Sequence, residues 1–291
     1  MKPLNQNDNP GGGARVSKHV FISLARHELK YTIAPELMDP IRAFLRPYCR
    51  MDEHAAREKE GFYTITCLYL DDDRYRMFWD AEERAPVRAK LRVRGYGEAP
   101  HQIVKFEIKR RIDDLVVKSS VTVPGDSWVR LLSAPAETAS LSLDRAQRNA
   151  LEMFLLTART LGAGPKMLVR YERQAFHSLI DNYVRITFDR RLVHQPMTAC
   201  DLTGTPRNWK AIDDLTSMGF HTSGVVLELK FLVVGAPPWI ADLVRTFHLE
   251  RRGYSKYGCA VRRSVLGGEP AWDLAPVMSR RRDLGGRTWT S

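Results

Sequence analysis

The chain has 291 residues, enough for one large domain or two small ones, and 44% of them are hydrophobic, so an ordinary globular core is within reach. Its 45 Lys and Arg outweigh 34 Asp and Glu for a net charge of +11. That balance points to an anionic partner (nucleic acid, a phosphate compound or an anionic membrane) without choosing among them. It also excludes little else, but the patterning does. No apolar run reaches the roughly 18 residues of a membrane helix, and residues 1–19 lack an apolar secretory core. Cys49, Cys67, Cys200 and Cys259 are scattered without metal-ligand spacing, so reduced thiols in a cytoplasmic protein are expected.

Residues 1–19 read as a flexible leader, because their Asn, Pro and Gly cannot build a core; the Gly-Gly-Gly at 11–13 precedes no strand-to-helix turn and is no phosphate loop. A strand is predicted at 26–33, followed by a helix opened by Pro35 with Leu37, Ile41, Phe44 and Leu45 on one stripe. Residues 62–70 (FYTITCLYL) read as a buried strand, and Asp71, Asp72 and Asp73 cap a short helix over RYRMFWDAEE. Strands follow at 88–95, 103–112 and 115–123, the last two joined by a turn at Asp113 and Asp114. Helical spacing runs from Asp144 to Leu161 and stops at Gly162, Gly164 and Pro165. Strands at 167–176, 183–190 and 225–233, helices at 205–219 and 237–249, and a short helix or turn at 255–263 complete the domain of residues 20–265. Residues 266–291, with Arg280, Arg281 and Arg282, read as a basic tail. Strands joined as hairpins with helices between them argue for α+β, an antiparallel sheet or closed barrel with helices packed outside.

Six of these stretches alternate charge with hydrophobe: RHELKY (26–31), KLRVRGY (90–96), VKFEIKRR (104–111), YERQAF (171–176), VRITFDR (184–190) and VLELKF (226–231). A strand puts residues i, i+2 and i+4 on one face. If the charged faces converge, they line an interior with Arg26, Glu28, Lys30, Arg92, Arg94, Lys105, Glu107, Lys109, Lys118, Arg173, Arg185, Asp189, Glu228 and Lys230, ten cations against four carboxylates. Such an excess is costly to enclose unless a ligand neutralises it, and a chain of phosphates matches Arg forks and Lys point charges. The bland alternative is one solvated face of an open sheet. A base-stacking nucleic-acid platform is disfavoured, because Phe106, Phe188 and Phe231 fall in the apolar phase.

Eight pieces in order, RHELKY, KLRVRGY, FEIKRR, VVKSSV, YERQAF, VRITFD, LELKF and SKYG, span about residues 20–263 and resemble the VTC domain, the polyphosphate-polymerase domain of the vacuolar transporter chaperone family within the CYTH or triphosphate tunnel metalloenzyme superfamily. The resemblance implies an eight-stranded antiparallel triphosphate-tunnel barrel that binds ATP and growing polyphosphate. Carried over by motif, phosphate contacts fall on Lys30, Arg92, Arg94, Lys109, Lys118, Arg173 and Arg185, with Lys230 beside them and with Ser255 and Lys256 on a helix closing one mouth. A divalent metal, Mn2+ or Mg2+, maps onto Glu228, with Glu107 or Glu28 assisting. Arg26 stands where the wider superfamily has its first Glu, as in VTC-like members. Tyr171 and Tyr257 are placed either against a phosphate or base or in packing, and His27, His177, His194 and His221 as surface or core residues.

These readings imply metal-dependent transfer of a phosphoryl group from ATP to a polyphosphate end. Two rivals remain at the level of sequence: a tripolyphosphate or nucleoside-triphosphate hydrolase on the same tunnel, and a non-catalytic polyphosphate-binding module. Expected partners are ATP, inorganic polyphosphate, and triphosphate or pyrophosphate, with no nucleic acid; any membrane partner would be a separate chain.

Overall fold

The computed structural model describes residues 26–113, 115–133, 141–180, 183–213, 224–232, 235–251 and 254–267. The leader, the basic tail from 268 onward, Asp114, His221 and the second half of the helix predicted at 205–219 lie outside these residues, as does the side chain of Arg26. Alternating sequence yields strands β1 (Arg26–Ile33), β2 (Cys49–Met51), β3 (Tyr63–Asp71), β4 (Val87–Tyr96), β5 (Ile103–Ile112), β6 (Leu115–Pro124), β7 (Gly164–Ser178), β8 (Arg185–Pro196), β9 (Lys210–Ala211) and β10 (Val225–Leu232). Every ladder is antiparallel, and the main sheet runs β1-β10-β8-β7-β3-β4-β5-β6, with short β2 added to β7 and β9 to β8.

The helices are α1 (Met38–Leu45), α2 (Glu53–Ala56), α3 (Arg76–Glu82), α4 (Trp128–Ser133), α5 (Arg145–Thr160), α6 (Pro238–Thr246) and α7 (Lys256–Val265). Capping chemistry fixes their starts. Asp144 and Gln147 form a reciprocal capping box on α5, and Asp52 accepts from Ala55 N–H at the head of α2. Two of the three predicted caps before α3 hold: Asp71 accepts from Met77 and Phe78 N–H and Asp72 from Arg76 N–H, whereas Asp73 pairs with Lys166. The helix expected from 205 is corrected over its described part: Pro206–Asn208 make one 3-10 turn, and Lys210–Ala211 pair with β8 instead.

Strand period decides which side of the sheet each residue serves. Leu91, Val93, Phe106 and Ile108 pack outward with Trp128, Leu131, Phe154 and Leu155 of α4 and α5, where Phe106 and Phe154 meet edge to face at 4.8 Å. Tyr31, Ile186, Phe188, Leu227 and Leu229 pack outward with Ile41 and Leu45 of α1 and Ile240 and Leu243 of α6. The aromatics in the apolar phase are therefore buried under helices, each contributing about 1.5–3 kcal/mol to the core.

One helix is placed differently. α7 buries Tyr257, Cys259, Ala260 and Val261 against Tyr63, Ile65, Cys67 and Tyr69 of β3 and Met167, Val169 and Tyr171 of β7, the inward-facing residues of those strands. It thus fills part of the concave side, and its first residues, after the cap Ser255, meet the charged half of the interior. The outer strands β1 and β6 are not neighbours in the ladder. Side chains span this seam: Lys109 of β5 reaches Glu28 of β1 at 3.3 Å. The sheet curls into a half-barrel with helices outside, in keeping with the expected α+β antiparallel architecture, and this ion pair reaches across the gap between its outer strands.

Candidate functional site

The charged phase of each strand faces the concave side. On β1 and β10 the opposite charges alternate in register, Glu28 across from Lys230 and Lys30 across from Glu228. Lys30 Nζ lies 3.1 Å from Glu28 and 3.7 Å from Glu228, and Lys230 Nζ lies 3.0 Å from Glu228. Against the cost of burial, Lys230 and Lys30 hold the Glu228 carboxyl well below the usual carboxylate range, and Glu228 and Glu28 raise the Lys30 ammonium above its ordinary value. Lys30 lies within ion-pair distance of both Glu28 and Glu228, which brings two carboxylates to one place.

On the facing wall, Glu107 of β5 is buried and takes three cations. Arg92 Nε donates to it at 2.6 Å, Arg94 lies 3.2 Å away, and Lys118 of β6 lies 2.8 Å from its other oxygen. Despite burial, Arg92, Arg94 and Lys118 keep its carboxyl well below the usual range. Glu107 is thus the counter-ion of three phosphate-binding candidates, although its Oε1, the oxygen nearest Lys118, makes no hydrogen bond among the described residues.

A third carboxylate sits between β7, β8 and α7. Asp189 accepts both arms of Arg173, at 2.7 and 2.8 Å, and the Lys256 ammonium at 2.6 Å. Burial opposes its charge, but Arg173 and Lys256 bring it down to about 2. Lys256 lies over the Tyr171 ring at 4.6 Å and Arg173 at 5.3 Å. Tyr171 is therefore a buried platform for two cations, and packing is the role the structure displays for it. Arg185 reaches Asp52, at 3.1 Å, whose other contacts are the Ala55 N–H and the Tyr63 hydroxyl.

The head of α7 gathers the remaining groups. Ser255 caps the helix by accepting from Gly258 N–H, and it also receives Lys90 Nζ at 3.0 Å, while Lys30 donates to the Tyr254 carbonyl at 3.2 Å. Tyr257 turns away from this space and donates to Asp71 at 2.6 Å, with its ring stacked on Tyr69 at 4.9 Å. Arg262 pairs with Glu82. These contacts fix α7 in place.

Every sequence-predicted site residue thus lies on the concave side or at the head of α7. Lys90 and Asp52 join this set without having been singled out from sequence, whereas Asp189 was expected in the lining but given no role there. Lys90 carried a signal, since it shares the strand phase of Arg92 and Arg94 two residues on. Asp52 carried none, because it comes from a short loop that only the fold brings to Arg185. Among the histidines, His194 is fully buried with its ring on the Lys210 carbonyl and Ser264 hydroxyl, and His27 packs on Phe231. Cys49, Cys67 and Cys259 are buried, Cys200 is half-buried, and none of the four is in a disulfide.

Cations outnumber carboxylates throughout this interior. Burial lowers Lys109, Lys118, Lys230 and Lys256 below their ordinary values even where a carboxylate is near. The buried Nε of Arg94 and of Arg185 finds no hydrogen-bond partner among the described residues. No group of three His, Cys, Asp or Glu among the described residues is placed to hold a metal ion on its own. The pair Glu28 and Glu228 is a hard oxygen donor set of two, which suits an ion such as Mg2+ that keeps waters and takes its other ligands from substrate phosphates. No helix among the described residues is long and apolar enough to cross a membrane.

A family model described as VTC domain matches residues 25–265. Among solved structures, that of the PH1819 protein from Pyrococcus horikoshii OT3 is 15% identical over 79% of this chain and 95% of that chain, at a TM-score of 0.37, a likeness too distant to carry an argument. No curated protein matches the chain.

Proposed function

Since the chain belongs to the VTC domain family, whose model spans residues 25–265, we propose that its tunnel transfers the terminal phosphoryl group of ATP to the end of a growing inorganic polyphosphate chain. The observation that carries this reading is the surplus of inward cations over inward carboxylates. Lysines pushed down by burial and buried guanidinium donors left without partners are both relieved by one ligand, a row of phosphates.

The chain's own residues supply positioning and charge neutralisation. Arg92 and Arg94 grip from one wall with Lys118, oriented by Glu107; Arg173 and Lys256 grip from the other, oriented by Asp189. Lys30, Lys109 and Lys230 surround the Glu28 and Glu228 pair between these walls. The acceptor is itself a phosphate oxyanion, so no protein nucleophile is needed, and the donor and acceptor are held in line by fixed cations. Glu228 and Glu28 are the carboxylates for a divalent metal, because Lys30 reaches both and they stand together, whereas Glu107 stands apart among Arg92, Arg94 and Lys118. Bound there, Mn2+ or Mg2+ would act as a Lewis acid on phosphate oxygens.

The test is incubation of the purified protein with ATP and Mn2+, with products resolved by gel and by free-phosphate release. Long-chain polyphosphate is the expected product. Free phosphate alone would replace the polymerase with a hydrolase on the same tunnel. Tight polyphosphate binding with no turnover would leave only a binding module.

A further inference from the structure

We propose that Lys90 is a further substrate-binding residue, which grips the phosphate chain beside Ser255 at the head of α7; this rests on the phosphate-chain reading above. Three observations carry it. Lys90 shares the inward phase of β4 with Arg92 and Arg94, and stands across the ladder from Lys109. Its ammonium is aimed at the cap of a ten-residue helix, donating to Ser255 Oγ at 3.0 Å, where the unpaired N–H groups of the first turn also favour an anion. Among the described residues it has no carboxylate within ion-pair distance, unlike Lys30, Lys109, Lys118, Lys230 and Lys256.

The surroundings of Lys90 couple this contact to a proton. Lys30 faces Lys90 from β1, Lys109 from β5 and Arg92 from its own strand, all cations. Glu82 of α3 is the nearby acid, and it is engaged by Arg262 of α7. Burial, then Lys30 and Lys109, bring the Lys90 ammonium down to about 8. A phosphate chain laid against it reverses that balance, so the amine gains a proton on binding. The uptake is present near pH 8 and disappears well below it, where the free protein already holds that proton.

The probe is inorganic tripolyphosphate with EDTA, which keeps the Glu28 and Glu228 pair out of the readout. Binding to the full chain is followed by titration calorimetry at about pH 8 in two buffers of unlike ionisation enthalpy, which gives both Kd and net proton uptake. Lys90→Met is expected to weaken binding about tenfold or more, the scale of one lost charge-assisted hydrogen bond, and to reduce uptake. Lys90→Arg is expected to keep affinity within about threefold and still reduce uptake, since a guanidinium is always charged. Unchanged affinity and uptake in Lys90→Met would overturn the inference. Should that variant not fold, Lys90→Arg decides by itself: wild-type uptake in it overturns the inference. Wild-type protein that binds no tripolyphosphate would remove the phosphate reading and this inference together, whereas wild-type binding with an indifferent Lys90 removes the inference alone.

Discussion

Arg173 and Asp189 meet in a two-pronged pair, at 2.7 and 2.8 Å, with both side chains buried and Lys256 closing on the same carboxylate at 2.6 Å. The pair joins neighbouring strands, and Lys256 ties it to α7, so one carboxylate holds the tunnel wall and its plug together. Asp189→Ala leaves a buried guanidinium and a buried ammonium without their counter-ion. The expected cost is about 3–5 kcal/mol, read from urea unfolding midpoints at unchanged slope. A loss under about 1 kcal/mol would show that water replaces the carboxylate and that the wall does not depend on it.

The same carboxylate sets an acid limit. Asp189 is lowered to about 2 in the folded protein from an ordinary 3.8, so its charge favours the folded state above about pH 4, and that contribution fades as pH falls toward about 2. Glu107 and Glu228 are displaced in the same direction and add to the slope. Stability measured from about pH 6 downward is therefore expected to fall steeply below about pH 4, and Asp189→Asn is expected to flatten part of that fall. An identical acid profile in the variant would remove Asp189 from the account.

Glu107 and Glu228 look alike in sequence, each on an alternating strand beside lysines, yet the fold gives them different neighbours: Arg92, Arg94 and Lys118 around Glu107, and Lys30, shared with Glu28, beside Glu228. Glu107→Gln takes the counter-ion from Arg92, Arg94 and Lys118, and a loss of about 3 kcal/mol or more is expected. Glu228→Gln is expected to abolish Mn2+ binding, followed by metal titration in the presence of tripolyphosphate, whereas Glu107→Gln, where it folds, should retain it. Equal loss of metal affinity in both would return Glu107 to the metal site.

Much of this was legible because a strand's period is 2. The alternation of Lys105, Glu107 and Lys109 with Phe106 and Ile108 predicts which face is buried under helices, and β5 obeys it. What the period does not give is which opposite charges meet. The separation of Glu107 from the Glu28 and Glu228 pair depends on the curl that brings β1 toward β5, 81 residues apart at the Glu28–Lys109 contact. The stretch from 205 misled for a related reason. Its apolar spacing suits a helix, but Lys210–Ala211 sit where β8 has a free edge, and ladder pairing outweighs a weak local preference there. Asp52 was invisible for want of any pattern at all, since a cap on a four-residue helix reaches Arg185 only through the turn between β2 and β3.

Tyr257 offers a test of how firmly the plug is held. Its hydroxyl donates to buried Asp71 at 2.6 Å, and that carboxylate also accepts the N–H groups of Met77 and Phe78 at the start of α3. One aspartate therefore links β3, α3 and α7 at the apolar end of the tunnel. Burial pushes the Asp71 carboxyl above its ordinary range in spite of these donors, so it has few hydrogen bonds to spare. Tyr257→Phe keeps the ring stacked on Tyr69 and deletes only the donor. A loss of about 1.5–3 kcal/mol is expected, the range for hydrogen bonds to charged groups. Because α7 carries Ser255 and Lys256 at its head, the loosened helix should also weaken tripolyphosphate binding, and by less than Lys256→Met does. Full stability in Tyr257→Phe would mean that packing against Tyr63, Ile65 and Val169 anchors α7 without this bond.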